Sequence, residues 1–211
     1  MKTDDLIAFL ARGAEPEQRR RTGLRMAATL AAGFAVAALA LVLILGMRPD
    51  IGAAITPVLL KAAFAAAAAA AVLPLAMQLA KPGRPLGWRL AAAFVFVAVS
   101  FGAAAIALLG APSEARMQAW TGGSFPWCLV LIPILAAPAA AGLVWLMRSF
   151  APTRLTLSGA AIGALSGGVG AMAYAMYCPV DSIAFVTTWY VVAIAICAAL
   201  GALIGARLLR W

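Results

Sequence analysis

The sequence predicts an all-α integral membrane bundle of six transmembrane helices with both termini in the cytoplasm. The 211-residue chain is 65% hydrophobic and 11% charged, with a mean hydropathy of +1.02. A soluble domain of this size cannot bury so many apolar side chains. Six apolar runs are each long enough to cross a hydrocarbon core of about 30 Å, and the basic residues are distributed unevenly between the segments that connect them.

The first 22 residues form a polar segment, which we predict to be a cytoplasmic tail separate from a transmembrane domain of residues 23–211. A threonine can cap a short helix, two carboxylates suit the positive end of its dipole, and three apolar side chains share one face. These candidate partner-binding residues are Thr3, Asp4, Asp5, Leu6, Ile7 and Leu10. A helix this short is marginal in water, and its acidic start favours a groove on a protein partner over anionic lipid.

A predicted turn at residues 15–18 and a basic collar at residues 19–21 follow the tail helix. The first apolar run lies behind this long polar tail, so we interpret it as a retained helix and not as a signal peptide. The predicted spans are about Leu24–Gly46, Thr56–Ala80, Trp88–Leu109, Pro126–Met147, Leu157–Tyr177 and Ile183–Leu209.

Local signals support several of these spans. Thr56 followed by Pro57 is typical of an N-cap and the first helical position. Lys61 lies one turn inside the second span, where its side chain can extend to lipid head groups or to a carboxylate. In the fifth span Gly159, Gly163 and Gly167 recur at four-residue spacing, which predicts a face that another helix approaches closely.

The charge distribution predicts the orientation. An even number of spans puts both termini on one side of the membrane, and thirteen of the sixteen cations fall on that side. The other side carries Arg48, Lys61 and Arg116. Cytoplasmic loops are enriched in Lys and Arg, so the termini are predicted to be cytoplasmic and the net charge of +9 is assigned to the loops, with no direct nucleic-acid partner.

Two of the three cysteines are predicted to lie near the outer surface. Cys128 follows Phe-Pro-Trp at the start of the fourth span, and Cys178 precedes Pro179 at the end of the fifth. An unpaired thiol facing an oxidising compartment is a liability unless it is paired or used. A disulfide, a soft-metal clasp with Asp181 as a third ligand, and two free thiols all remain open. Cys197, in the middle of the sixth span, is interpreted as a small hydrophobic residue.

The residues give little support to catalysis. The chain contains no histidine, which removes the commonest general base and metal ligand. No Asp or Glu falls in the centre of a predicted span, and no metalloprotease, Cys-x-x-Cys or phosphate-loop motif occurs. We therefore expect a non-enzymatic protein without a resident cofactor. The alternatives are a small transport or permeability protein and, less favoured, a membrane thiol-disulfide oxidoreductase.

Several short motifs make the chain similar to one known family. They are Met1–Leu6, Leu60-Lys61, Lys81–Arg84, Cys128–Pro133, Ala151–Thr153, Tyr174–Pro179, Trp189-Tyr190 and Gly205–Trp211. The chain resembles the NrsF family of bacterial inner-membrane proteins, which negatively regulate extracytoplasmic-function (ECF) sigma factors of the sigma-F type. It departs from the pattern at Val180, where members often carry an acidic residue, and this weakens a carboxylate-assisted metal site.

The resemblance implies a function that composition does not. As a multi-pass protein of the bacterial inner membrane, the chain would act as an anti-sigma factor in transcription regulation. Its N-terminal segment would hold an ECF sigma factor, its partner besides membrane lipid, away from RNA polymerase. Cys128 and Cys178 would be the sensor of heavy metal or oxidative stress, binding at most a transient soft metal ion, and their response would release the sigma factor.

Overall fold

The computed structural model describes residues 15–81, 87–150 and 152–210. This part of the chain forms seven helices and contains no strand, which confirms the all-α prediction. The helices are α1 Glu15–Ile44, α2 Ile55–Leu79, α3 Trp88–Gly110, α4 Arg116–Thr121, α5 Trp127–Arg148, α6 Leu155–Tyr174 and α7 Ile183–Leu208. All except the short α4 are long and apolar enough to cross a membrane.

The predicted spans match these helices closely, with two corrections at their starts. The turn predicted at residues 15–18 is wrong, because α1 begins at Glu15 and continues unbroken to Ile44. Pro16 is compatible with this, since the first turn of a helix needs no hydrogen bond from its backbone nitrogen. The predicted boundary between tail and membrane domain therefore falls inside a helix. In α2 the N-cap is Ala54, which has no side-chain cap, and Thr56 lies inside the helix.

Helix α6 lies at the centre of the bundle. In its apolar window 72% of the residues are buried, against 39% or less in each of the other five long helices. The predicted glycine face is confirmed by its contacts with α7: Gly159 lies against Gly201 and Gly205. Further along, Gly163 lies against the backbone of Cys197. Small side chains let the two backbones approach closely, which is how helices pack where no water drives association.

Glycines on the other faces of α6 accept its remaining neighbours. Gly168 faces Ala65 and Ala69 of the polyalanine stretch in α2, and Gly170 faces the backbone of α5 at Ile132 and Ala136. A side chain on any of these faces would overlap a neighbouring helix, so α6 serves as a shared core element. Helix α3 is peripheral: only 11% of its window is buried.

The connections that follow α1, α3 and α6 meet at one end of the bundle. Arg48, after α1, donates its backbone N–H to Met176 after α6. Trp189 of α7 donates its indole N–H to the Trp120 carbonyl in α4 at 2.8 Å. This end also contains Cys128 and Cys178, so it holds the candidate site.

The close packing of α6 on α7 gives the first testable prediction. Gly163→Ala should lower the free energy of unfolding by about 1–3 kcal/mol, because the added methyl group overlaps the Cys197 backbone. Gly102→Ala in α3 is the control, since Gly102 has open space around it and alanine is the better helix former. Thermal unfolding in detergent micelles measures both variants, and equal melting temperatures would contradict the packing described here.

Candidate functional site

The structure brings the two candidate sensor cysteines into one hydrophobic cluster. Cys128 lies in the first turn of α5, and Cys178 lies in the connection between α6 and α7. Both side chains are 0% exposed, and both belong to the same core cluster. They lie at the predicted end of the bundle but inside it, and not at its surface as predicted. All three cysteines are free thiols.

The segment between α4 and α5 covers the Cys178 thiol. The Cys178 sulfur lies 3.8 Å from Ser124 Oγ and 3.8 Å from the Val180 carbonyl oxygen. Gly122 has a φ of +53°, a left-handed conformation that favours glycine, and a Cβ there would lie 2.8 Å from the Val180 methyl carbons. An ion or oxidant therefore reaches the thiols only if this cover moves.

Lys61 of α2 holds the backbone just after the thiol. Its ammonium donates to the carbonyl oxygens of Cys178 at 2.6 Å and Val180 at 3.3 Å. It also pairs with Asp181 Oδ1 at 2.8 Å. The residue is 3% exposed, so of the two alternatives for Lys61 the carboxylate is confirmed and extension to lipid head groups is wrong.

Arg48 completes a cluster of two cations and two carboxylates. It donates to Asp181 Oδ1 at 3.0 Å and to the Cys178 carbonyl at 3.4 Å. It also forms a two-pronged pair with Asp50, at 2.7 and 2.8 Å. The predicted topology puts Arg48 and Asp181 at the same end of the bundle but does not predict that they pair. The available signal was that few residues there carry a charge.

The cluster ties three separate segments together. Arg48 and Asp50 belong to the connection between α1 and α2, Lys61 to α2, and Asp181 to the connection between α6 and α7. Two of the four charged groups converge on the Cys178 carbonyl oxygen. Any movement of the Cys178 loop must therefore break or remake charged hydrogen bonds to α2 and to the connection after α1.

The electrostatics of the cluster favour the charged forms. Burial alone would raise the pKa of Asp181, but hydrogen bonds from Lys61 and Arg48 hold it below its ordinary value. The hydrogen bond from Arg48 lowers the pKa of Asp50 in the same way. The pKa of Arg48 is raised, first by its hydrogen bond to Asp50 and then by that to Asp181.

The candidate metal ligands are only partly brought together. Among the described residues no three His, Cys, Asp or Glu side chains are arranged to hold a metal ion. Asp181, the predicted third ligand, directs its carboxylate to Lys61 and Arg48 instead. Of the three candidate ligands Cys128, Cys178 and Asp181, only the two cysteines belong to the hydrophobic core cluster. The predicted partner-binding residues 3–10 lie outside the residues that the structure describes.

Aromatic side chains support the same end of the bundle. The five residues Val186–Tyr190 form one π-helical turn inside α7. Such turns insert an extra residue and occur often at functional sites. The Trp189 ring packs against Trp120 at 5.3 Å and Phe125 at 4.4 Å between centroids. This contact attaches the cover over Cys178 to α7.

Removing the charge of Asp181 tests the cluster. Asp181→Asn should lower the free energy of unfolding at neutral pH by about 1–3 kcal/mol. Breaking a fully buried pair costs about 3–5 kcal/mol, but the Asp181 side chain is 35% exposed and water screens it. Glu114→Gln, an exposed acid at the same end, is the control and should change little.

The pH dependence of this difference has a defined sign. A carboxylate with a lowered pKa stabilises the fold above its unfolded-state pKa, and that stabilisation is lost as the pH falls through the folded-state value. The melting temperatures of the native chain and Asp181→Asn should therefore differ at pH 7 and converge below about pH 4. A difference that persists in acid would show that Asp181 acts through its shape and not its charge.

Known proteins resemble this chain over its whole length. A family described as "Negative regulator of sigma F" matches residues 10–211. The "Anti-sigma-F factor NrsF" of Caulobacter vibrioides is 36% identical over 225 residues, and the "Probable anti-sigma-F factor NrsF" of Azospira oryzae is 35% identical over 213. Both alignments cover all of this chain and all of the relative. No solved structure matches it.

These matches confirm the resemblance noted from the sequence motifs. They extend over the helices that form the bundle and over the thiol and charge clusters at its end. The chain therefore belongs to the NrsF family of negative regulators of sigma F.

Proposed function

We propose that this protein is a membrane-anchored anti-sigma factor that sequesters an ECF sigma factor at the bacterial inner membrane and releases it on heavy-metal or oxidative stress. The observation that carries the proposal is its membership of the NrsF family over nearly the whole chain, with relatives named anti-sigma-F factors. Six long apolar helices support the membrane location. The excess of basic residues in the segments predicted to lie on the same side as the termini supports a cytoplasmic position for the tail.

The N-terminal segment, residues 1–22, is the proposed binding site for the sigma factor. Its acidic start and the apolar face formed by Leu6, Ile7 and Leu10 suit a groove on a basic or mixed protein surface. The family match begins at residue 10, whereas the two full-length relatives align with the whole chain.

The thiol pair is the proposed sensor, and α1 offers a route from it to the tail. Arg48, which binds the Cys178 carbonyl and Asp181, follows closely after the end of α1. The other end of α1, at Glu15, lies within the tail. A helix of 30 residues spans about 45 Å without a break. Displacement of the Cys178 loop would act on one end of α1 and reorient the segment attached to the other.

The alternative functions have less support. A transport protein needs a polar path along the bundle axis, but the axis is filled by α6 and its close-packed glycines. A thiol-disulfide oxidoreductase needs thiols that meet a substrate, whereas Cys128 and Cys178 are both 0% exposed. Sequestration of a protein partner needs neither feature.

The tail is tested by reversing the polarity of its apolar face. Leu10→Asp should abolish co-purification of the cognate sigma factor with the detergent-solubilised full chain, because it puts a charge into the docked face. Ala8→Asp is the matched control, since it adds the same charge on the opposite side of the predicted helix and should retain binding. Equal capture by both variants would contradict tail docking.

The sensor is tested by removing the thiols. In cells, the Cys128→Ser/Cys178→Ser variant should keep a sigma-dependent reporter repressed, yet fail to induce it when a soft metal ion or a thiol oxidant is added. Cys197→Ala, which removes the third thiol from the middle of α7, is the control and should respond as the native chain does. Normal induction in the double serine variant would refute the sensor.

A further inference from the structure

A pocket with several polar side chains lies at the end of the bundle where α1 begins and α7 ends. It is enclosed by α1, α2 and α3 and has a volume of about 210 Å³. Thr22 of α1 and Gln78 of α2 line it. Two cations line it as well: Lys81, shortly after the end of α2, and Arg89, in the first turn of α3. The pocket is therefore positively charged.

The two cations of the pocket have no carboxylate partner among the described residues. At the thiol end, by contrast, Arg48 and Lys61 pair with Asp50 and Asp181. The chain thus supplies the counter-charges at one end of the bundle and leaves the pocket at the other end without them. An anion from outside the chain would complement the pocket.

An apolar groove continues from this pocket towards the middle of the bundle. It has a volume of about 370 Å³, and Ala70 and Leu73 line both the pocket and the groove. Helices α1 and α2 both pack on α6, and Leu165 and Val169 of α6 form the floor between them. The walls include Ala66 and Ala70 of the polyalanine stretch, which are exposed. The groove is therefore open along its side.

The length of the groove matches one leaflet of a bilayer. Thr22 in the pocket and Phe34 in the groove are twelve residues apart on α1, which is about 18 Å of helix. Half of a hydrocarbon core of about 30 Å is about 15 Å. Trp88, next to Arg89, is 67% exposed, and such tryptophans lie at the level of the lipid head groups. The pocket thus lies at head-group depth and the groove among the acyl chains.

We propose that the pocket and the groove together bind one anionic phospholipid, with its phosphate between Lys81 and Arg89 and an acyl chain between α1 and α2. Basic pockets between transmembrane helices bind anionic head groups in this way. Only 17% of the apolar window of α1 is buried, so the lipid also adds packing to the helix that leads into the tail. The site is separate from the thiol pair, and its test is independent of sigma-factor capture.

The test titrates phosphatidylglycerol into the detergent-solubilised full chain and counts bound lipid by native mass spectrometry. Phosphatidylcholine with the same acyl chains is the reference without net charge, and the native chain should bind phosphatidylglycerol more tightly. Lys81→Gln/Arg89→Gln should weaken binding of phosphatidylglycerol about 30-fold, since each cation near a head group contributes a factor of about 5. Its affinity for phosphatidylcholine should change little. Ala70→Leu should weaken binding of both lipids, because the larger side chain fills the groove where it meets the pocket.

Arg207→Gln/Arg210→Gln is the matched control. It removes two exposed cations from the same end of the bundle but outside the pocket, and should keep the native affinity. An equal loss in the two double variants would overturn the proposal, as would equal affinity of the native chain for the two lipids. Competition by glycerol 3-phosphate at the same concentration would show a site for free anions and overturn it too. A mass of two copies without lipid would show that a second chain covers the groove instead.

Discussion

The pairing of the Lys61 ammonium with Asp181 and with the Cys178 carbonyl is the interaction on which the functional end of the bundle depends. A cation that is 3% exposed must be neutralised and fully hydrogen-bonded, or its burial is unfavourable by several kcal/mol. That requirement determines where the connection after α6 runs. The Lys61 contact holds the Cys178 backbone against α2. Arg48, in the connection after α1, binds the same loop, so three segments that are far apart in sequence are joined.

Different kinds of contact stabilise the length of the bundle and its thiol end. Along its length the bundle is held by glycine and alanine contacts around α6, which are close and apolar and leave little room for movement. At the thiol end the contacts are charged and directional, with carbonyl oxygens as shared acceptors. Charged hydrogen bonds can exchange partners when a ligand binds, whereas interlocked backbones cannot. A sensor at this end can therefore change while the bundle stays folded.

The thiol pair, its cover and the charge cluster form one connected unit. Ser124 and Val180 lie against the Cys178 sulfur, and Val180 also accepts a hydrogen bond from Lys61. Tyr174 and Tyr190 belong to the same core cluster as Cys178. An ion bound to the thiols would therefore displace the cover and strain the Lys61 contacts together. Through Arg48, such a change would reach the connection that follows α1.

The sequence alone determined the six-helix architecture, the glycine face of α6 and the end of the bundle where Cys128 and Cys178 lie. The length of each apolar run, the spacing of the small residues and the even number of spans are properties of the sequence and need no tertiary information. Only the tertiary structure decided that the thiols are buried, that Asp181 pairs with Lys61 and Arg48, and that α1 starts at Glu15. The physical reason is that burial and ion pairing depend on which segments meet, and periodicity within one segment does not encode its neighbours.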